Sequence, residues 1–400
     1  MNKIEEMVRV LCPDGVPYLP LGEILGYEQP GKYIVRSTNY SDDYDTPVLT
    51  AGQTFILGYT DETDGVYQAS KDNPVIIFDD FTTSYHWVDF DFKVKSSAMK
   101  LLRPLPGVDV SFRYVYFALS TIRFKPLEHA RQWISNYSLF EIPVPPVAVQ
   151  EAVVDILDKF TELQALLEAE LVARKKQYAY YRDQLLTYDP ALVPFKPLGE
   201  VFDVVTDYVA AGSFKDIANN VQYLREPDYA QLVRTTDLKS NFTASSPVYV
   251  SEDAFKYLWR VNMDKEYLVL PNVGNCGEVY YVTPDKLPYK HNVLGPNAIL
   301  ARSETVSNRF LFYLFQHYSF QKKLQAITSD TGQGKFNKTN FKTLEIPVPP
   351  LEEQERVVGI LDRFSALTES LTEGLPAEIA ARRKQYAYYR DLLLTFPRKS

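Results

Sequence analysis

A long stripe of apolar and aromatic positions follows the proline-rich string at residues 141–146. The stripe steps alternately by four and three residues through Val153, Leu157, Phe160, Gln164, Leu167, Leu171, Arg174, Tyr178, Tyr181 and Leu185. This spacing is the seam of a coiled coil, and only Gln164 and Arg174 interrupt it. A helix from Val147 to Tyr188 would be about 60 Å long at about 1.5 Å per residue. The pattern predicts one long helix whose stripe packs against another helix.

A second stripe of the same kind lies late in the sequence. It runs through Val357, Leu361, Phe364, Leu371, Leu375, Ile379, Tyr386, Tyr389 and Leu393. The second stripe has gained four residues, about one helical turn, and such an insertion preserves the stripe. Gly374 and Pro376 lie at the insertion, so we expect a kink or a break there.

The chain is an internal repeat. Three strings occur twice, and they are EIPVPP at 141–146 and 345–350, KQYAYYRD at 176–183 and 384–391, and PLGE at 20–23 and 197–200. Their offsets are 204, 208 and 177 residues, so a whole unit is repeated and not one short motif. Two long helices in one chain would most simply bury their stripes against each other, antiparallel, with a globular body at each end. We therefore expect a dumbbell with pseudo-twofold symmetry.

The repeat also predicts the fold class and the domain boundaries. We expect an α+β protein in which two mixed α/β domains are separated by an antiparallel coiled coil of two long helices. The predicted segments are a stub at 1–19 that packs near the C-terminal helix, a first domain at 20–146, a central helix at 147–190, a second domain at 191–350 and a C-terminal helix at 351–400. The alignment of the stub with residues 178–188 further predicts that the two chain termini lie close together.

The two globular bodies, body 1 (residues 24–140) and body 2 (residues 201–344), share little sequence. Strand-like runs in body 1 are 47–50, 54–60, 74–81 and 88–94, and a helix is expected near 110–122. Strand-like runs in body 2 are 231–235, 248–250, 267–270, 278–283 and 297–302, and a helix is expected around 308–327. A repeated framework that carries two different bodies is typical of a protein with two distinct recognition modules.

Composition and charge exclude several classes of protein. The chain is 46% hydrophobic and 24% charged, which is typical of a folded protein and not of a disordered one. No stretch approaches the roughly 20 apolar residues that span a bilayer, and two cysteines are too few for a disulfide framework, so we expect a cytoplasmic protein without a membrane partner. The net charge is −8, but residues 191–344 carry 17 basic and 15 acidic residues. Charge alone does not decide the partner.

The sequence offers little catalytic chemistry. Gly332–Lys335 lacks the spacing of a phosphate loop, the histidines occur singly, and Asp79 and Asp80 fit a strand end better than a metal site. No Asn-Pro-Pro-aromatic tetrad of the adenine amino-methyltransferases is present. We therefore expect no catalytic residues, no cofactor and no metal.

Polar loops are what remains, and they suit nucleic-acid contacts. The segment 329–340 is rich in glycine and combines lysines with amides, which fit phosphate oxygens and base edges, although a solvated loop explains it equally well. Arg234 could face guanine from the end of a strand, and Gly274–Gly277 has the spacing of a backbone clamp or of a plain turn. The candidate DNA-binding residues are Arg36, Asn39, Tyr40, Tyr59, Thr60, Thr83 and His86 in body 1, and Arg234, Thr235, Asn275, Gln333, Lys335, Asn337 and Lys338 in body 2.

The twin EIPVPP strings with the ILD[KR]F blocks that follow them, the KQYAYYRD pair and the PLGE pair resemble the DNA-specificity subunit of a type I restriction-modification system. The resemblance covers nearly the whole chain. It implies that each body is a target-recognition domain for one half of a split site in double-stranded DNA, and that the coiled coil sets the half-site separation. It also implies two modification (methyltransferase) subunits as partners, with translocating restriction subunits in the full complex. The protein would be a non-catalytic specificity subunit of that complex.

A rival interpretation is a coiled-coil adaptor whose two bodies bind proteins and never touch nucleic acid. The two interpretations differ in one measurable property, since binding to duplex DNA weakens steeply with salt. An adaptor for proteins alone would show no such dependence.

Overall fold

The computed structural model describes residues 2–52, 54–126, 130–243, 246–329, 332–370 and 373–399. The chain forms two compact units. Unit 1 consists of Met1–Glu168 and Glu378–Ser400, and unit 2 consists of Ala169–Ala377. Body 1 therefore lies in unit 1 and body 2 in unit 2.

The helices and strands of the first half of the chain end in one very long helix. In order they are α1 (Asn2–Leu11), β1 (Tyr18–Pro20), α2 (Leu21–Ile24), β2 (Leu25–Glu28), β3 (Thr46–Leu49), β4 (Ile56–Thr60), β5 (Val75–Asp79), β6 (Tyr85–Val88), β7 (Lys93–Val94), β8 (Met99–Pro104), α3 (Phe112–Leu119), β9 (Glu141–Pro143) and α4 (Val147–Leu185). Helix α4 has 39 residues.

The second half of the chain ends in two shorter helices. Its elements are β10 (Phe195–Pro197), α5 (Leu198–Val201), β11 (Val204–Asp207), α6 (Phe214–Asn220), β12 (Ala230–Val233), α7 (Thr235–Lys239), β13 (Tyr249–Val250), α8 (Glu252–Tyr257), β14 (Tyr267–Pro271), β15 (Tyr280–Val282), β16 (Asn292–Leu294), β17 (Ala298–Arg302), α9 (Asn308–Phe315), α10 (Tyr318–Ala326), α11 (Lys338–Lys342), β18 (Glu345–Pro347), α12 (Leu351–Glu369) and α13 (Gly374–Leu393).

The two units contain matching sheets although their bodies differ in sequence. Unit 1 has a four-stranded antiparallel sheet of order β2-β8-β5-β6, and unit 2 has its counterpart, β11-β17-β14-β15. Each unit also has a three-stranded sheet, β4-β3-β7 or β13-β12-β16, whose central strand is antiparallel to one neighbour and parallel to the other. Each has a two-stranded sheet, β1-β9 or β10-β18. The bodies are therefore two versions of one fold.

The predicted strands match the structure best where they are buried. Strand β5 is buried at its first four residues and β14 along its whole length. The single strand expected at 88–94 is wrong: β6 ends at Val88 in one sheet, and β7 begins at Lys93 in another. Strand β8 was not predicted, and the long helix expected at 308–327 is interrupted at Gln316 and His317 between α9 and α10.

Body 1 is attached to helix α4 through α3. Ser111 caps α3, and its backbone N–H donates to the side-chain oxygen of the buried Gln150 at 2.8 Å. The Gln150 amide group in turn donates to the carbonyl of Pro145 at 2.7 Å. Arg113, the second residue of α3, forms an ion pair with Asp158 at 2.7 Å.

Unit 2 repeats this attachment. Ser307 caps α9, and its N–H donates to Gln354 at 2.9 Å. The Gln354 amide donates to Pro349 at 2.8 Å, and Arg309 pairs with Asp362 at 2.7 Å. The same four side-chain types thus hold each body on its helix.

The two ends of α4 pack on different helices. In unit 1, Phe160 stacks on Tyr389 of α13 at 5.5 Å between ring centroids, and Glu168 forms an ion pair with Arg383 at 2.7 Å. From the first contact to the second, the residue number rises along α4 and falls along α13. These two helical segments therefore run in opposite directions. In unit 2, Tyr181 of α4 stacks on Phe364 of α12 at 5.9 Å.

The second helical segment is interrupted, as the glycine and proline predicted. Helix α12 ends at Glu369 and α13 begins at Gly374, while Leu371 of the predicted stripe lies outside the described residues. Gly374 has a φ of +69°, and a Cβ there would lie 2.6 Å from the carbonyl oxygens of Ala366 and Leu367. Only glycine fits this turn without displacing backbone.

The N-terminal and C-terminal segments of unit 1 meet. Ile4 of α1 belongs to the same core cluster as Leu393, Leu394 and Phe396. The N–H of Val16 donates to Pro397 at 2.8 Å, and the N–H of Lys399 donates back to Val16 at 2.9 Å.

Candidate nucleic-acid interface

Two loops of body 2 are joined through their backbones. The N–H of Gly274 donates to the carbonyl of Gly334 at 2.8 Å, and Val273 forms an antiparallel bridge with Lys335. Their joining brings Asn275, Gln333 and Lys335 onto one surface, where all three are exposed. Asp330 and Thr331, which belong to the predicted polar segment, lie outside the described residues.

The same surface continues into a cleft beside α11. Asn337 caps α11, with its side-chain oxygen 2.8 Å from the N–H of Asn340. Lys338 is paired with Asp207 at 2.8 Å, and both line a cleft of about 360 Å³. Phe214, 77% exposed, lies on the rim of this cleft.

Arg234 is held by an acid and does not extend freely from its strand. Its guanidinium donates to both carboxylate oxygens of Asp237, at 2.9 and 2.7 Å, and to the carbonyl of Ser246. The hydrogen bonds to Asp237 raise the pKa of the Arg234 guanidinium. Thr235, half-buried, is the first residue of α7. We therefore assign Arg234 a structural role, because the Arg234–Asp237 pair would have to open before the guanidinium could make a bidentate contact to guanine.

An ion pair connects α7 to the loop that carries Asn275. Lys239 lies 2.7 Å from Glu278, and Tyr280 donates to the same carboxylate at 2.5 Å. Burial alone would raise the pKa of Glu278, but the hydrogen bonds from Lys239 and Tyr280 outweigh it and lower that pKa. The body-2 candidates thus belong to connected elements.

In body 1 the candidate loops gather around β4. Arg36 is exposed and Ser37 is half-buried, and both donate their backbone N–H groups to Glu62, each at 2.8 Å. Tyr40 packs on Gly58, where a Cβ would lie 2.7 Å from the Tyr40 Cβ. Asn39, which directly precedes Tyr40, is exposed. The carbonyl of Tyr59 accepts the N–H of Ser41 at 3.1 Å.

A second group of body-1 candidates follows β5. His86 stacks on Phe55 at 4.6 Å, and its Nε2 lies 3.1 Å from the carbonyl of Gly52. Thr83 is 9% exposed, with a φ of +61°, and its hydroxyl donates to the carbonyl of Thr82. Thr60 is only 1% exposed. The side chains of Thr60 and Thr83 are therefore buried within body 1. We leave both residues out of the DNA contacts proposed below.

Two residues on these surfaces were missed from the sequence. Lys95 lies 3.3 Å from the Tyr40 hydroxyl and 5.6 Å from its ring, and Phe214 borders the cleft of body 2. Phe214 could have been found as a lone aromatic in a polar stretch. Lys95 carried no signal, because it comes near Tyr40 only through the fold.

The acidic pair that could suggest a metal site has structural partners. Asp79 accepts the N–H groups of Phe81 and Thr82, and Asp80 is buried with Lys100 at 3.4 Å. Among the residues that the structure describes, no group of three or more His, Cys, Asp or Glu side chains could hold a metal. Likewise, no helix in the described ranges is long and apolar enough to cross a membrane.

Comparisons with known proteins agree on one family. Residues 13–173 and 192–381 match the type I restriction modification DNA specificity domain. The chain is 40% identical over 409 residues to the type I restriction enzyme EcoR124I/EcoR124II specificity subunit of Escherichia coli, which covers 100% of this chain and 98% of that protein. It is 29% identical to the type I restriction enzyme MpnII specificity subunit of Mycoplasma pneumoniae over 56% of this chain and 62% of that protein.

Solved structures share the fold at low sequence identity. A chain from structural work on complex assembly and conformational transition of the type I restriction-modification system has a TM-score of 0.59, with 14% identity over 95% of this chain and 97% of its own. The crystal structure of the specificity subunit from M. genitalium has a TM-score of 0.50, with 14% identity over 95% of each chain. With two matched domains and a relative that is 40% identical over 98% of its length, this chain belongs to the family of DNA specificity subunits of type I restriction-modification systems.

Proposed function

We propose that this chain reads a bipartite target in double-stranded DNA, with body 1 reading one half-site and body 2 the other. One observation carries the proposal: the two bodies have the same sheet topology but different surface loops. Two readers built on one fold bind in the same mode, and different loops give different base contacts. The protein is the specificity subunit, and catalysis belongs to the other subunits of the complex.

We further propose that the long helical segments form an antiparallel coiled coil that separates recognition domains at 20–146 and 191–350. The opposed directions of the α4 and α13 segments in unit 1, and the stacking of Tyr181 on Phe364 in unit 2, support this arrangement. Stiff helices would fix the number of base pairs between the half-sites.

The proposed DNA contacts are the exposed and half-exposed candidates on the two loop surfaces. They are Arg36, Asn39, Tyr40, Tyr59 and His86 in body 1, and Thr235, Asn275, Gln333, Lys335, Asn337 and Lys338 in body 2. Arg234 joins them only if its pair with Asp237 opens on binding.

The partners that we propose are two modification (methyltransferase) subunits, with restriction subunits added in the full complex. A duplicated exposed position supports two copies of one partner. Tyr180 and Tyr388 are the same residue of the KQYAYYRD repeat, and they are 61% and 64% exposed. The core does not require an aromatic residue at either position, whereas a repeated docking surface would.

Sequencing the methylated bases of the host genome, with and without this chain, tests the proposal. We expect one split motif whose adenine methylation disappears when the chain is deleted. An unchanged methylome, together with binding of the purified complex to duplex DNA that does not depend on salt, would instead favour a protein-only adaptor.

A further inference from the structure

Arg131 of body 1 occupies the sequence position that Lys335 occupies in body 2. Each lies ten residues before the glutamate of its EIPVPP string, Glu141 or Glu345, so the two positions share the offset of 204. Both are basic, although the residues around them differ.

The backbone places the two positions alike. The residue after Arg131, Gln132, donates its N–H to the carbonyl of Asp80 at 2.7 Å. The residue after Lys335, Phe336, donates its N–H to the carbonyl of Asn272 at 3.2 Å. Asp80 directly follows β5 and Asn272 directly follows β14, which are the corresponding strands of the two four-stranded sheets.

A second pair of hydrogen bonds fixes the same corner in each unit. The N–H of Asp80 donates to Ala98, the residue before β8, at 2.8 Å. The N–H of Asn272 donates to Asn297, the residue before β17, at 3.1 Å. Arg131 and Lys335 thus begin the same hydrogen-bonded segment, beside the same two strand ends.

Both side chains point outward and are free to bind an anion. Gln132 and Phe336, which follow them, are buried, whereas Arg131 and Lys335 are exposed. Within the described ranges, neither the Arg131 guanidinium nor the Lys335 ammonium has a hydrogen bond or an ion pair. By contrast, Lys338 and Arg234 are neutralised by Asp207 and Asp237.

We propose that Arg131 and Lys335 are equivalent contacts to DNA phosphates, one in each recognition body. The inference rests on the proposed function and adds a residue pair to it. What a guanidinium and an ammonium share is positive charge and hydrogen-bond donation, which suit a phosphate, whereas they differ in the shape that bidentate base reading needs. A position that keeps its charge while the neighbouring loops change therefore orients each body on the backbone.

The test uses the full chain in complex with its modification subunits. Wild type, Arg131→Ala, Lys335→Ala and the double variant are titrated with a duplex that carries the methylated motif and with a scrambled duplex, at several salt concentrations. We expect each single variant to flatten the plot of log affinity against log salt by about 0.9, and the double variant by about twice that amount. Both duplexes should lose affinity by the same factor, so their ratio stays at the wild-type value.

Four control variants keep the result interpretable. Arg131→Lys and Lys335→Arg preserve charge and should keep the wild-type slope. Lys32→Ala and Lys256→Ala each remove a charge already paired with Glu28 or Glu252, at 2.8 and 2.9 Å, and should also keep it.

Two outcomes overturn the inference while the proposed function stands. One is a wild-type slope in both alanine variants, and the other is a changed ratio between the two duplexes, which would make these residues base readers. A wild-type complex whose binding shows no salt dependence would overturn the proposed function itself.

Discussion

The Arg113 guanidinium lies 2.7 Å from the Asp158 carboxylate and rests against the rings of Trp87, Tyr116 and Phe117, at 4.8 to 5.1 Å from their centroids. Arg309 does the same in unit 2, with Asp362 and three aromatic rings. The planar guanidinium thus packs between the body and its helix. Its packing against the rings contributes to stability in addition to its charge.

Replacing Arg113 or Arg309 by alanine should lower the free energy of unfolding by about 1–2 kcal/mol, because stacking and the ion pair are lost together. Asp158→Asn should cost less, since that ion pair is about one-third exposed. Denaturant unfolding of the full chain measures both. Arg174→Ala is the matched control, because Arg174 forms an exposed ion pair with Glu170 one helical turn away. If Arg174→Ala lowered the stability as much as Arg113→Ala, this account would be contradicted.

Gln150→Ala and Gln354→Ala should each destabilise the protein by about 1–3 kcal/mol, because a half-buried N–H and a buried carbonyl lose their partner. The two effects should be similar, since the contacts are the same in each unit. Thermal unfolding monitored by circular dichroism measures this. Gln177→Ala, which removes a half-exposed amide, should change stability little.

The protein should lose stability as pH falls below about 6.5, in part through His317. Burial lowers the pKa of His317, so the unfolded chain binds a proton there before the folded chain does, and the free energy of unfolding rises with pH in this window. In the fold, Nδ1 accepts the N–H of Ser319, and Nε2 faces the carbonyl of Asp183 at 3.2 Å. A proton on Nδ1 would break the first contact.

His317→Asn keeps a side chain that can cap α10 and removes the titration. Its unfolding free energy should depend less on pH between about 5 and 7 than that of wild type. Parallel curves for the two proteins would show that His317 is not responsible.

Lys338→Ala should flatten the plot of log DNA affinity against log salt by less than the slope of about 0.9 that one phosphate contact contributes. The reason is that Asp207 already neutralises the Lys338 ammonium at 2.8 Å. Asp207→Asn should steepen it by freeing the lysine. Equal slopes for Lys338→Ala and Lys335→Ala, measured on one duplex, would mean that the Asp207 pair opens on binding.

The sequence predicted those features that a repeat or a long periodic pattern encodes. The repeated EIPVPP strings occupy equivalent places, the stripe after Val147 lies in α4, and Gly374 interrupts the second helical segment. These signals are strong because each involves many residues, or a residue with a special backbone.

Elements that depend on tertiary contacts were missed. The run at 88–94 alternates as a strand does, yet the chain there changes sheets and leaves Phe90 exposed. Strand β8 was missed because Lys100 interrupts its apolar pattern, and a lysine is acceptable there because it pairs with the buried Asp80 and lies over the Tyr27 ring. Arg131 was missed because the residues around it differ from those around Lys335, although the two positions share the offset of 204, and the anchors at Asp80 and Asn272 are what support their equivalence.

Within each unit, the residues that hold the body on its helix are separate from those on the loop surfaces. Gln150, Ser111 and Arg113 serve the first purpose in unit 1, and none of them is among the proposed DNA contacts. Mutation or recombination in the loops therefore leaves the attachment intact. A lineage can in this way acquire a new methylation pattern without having to re-evolve the architecture that delivers it.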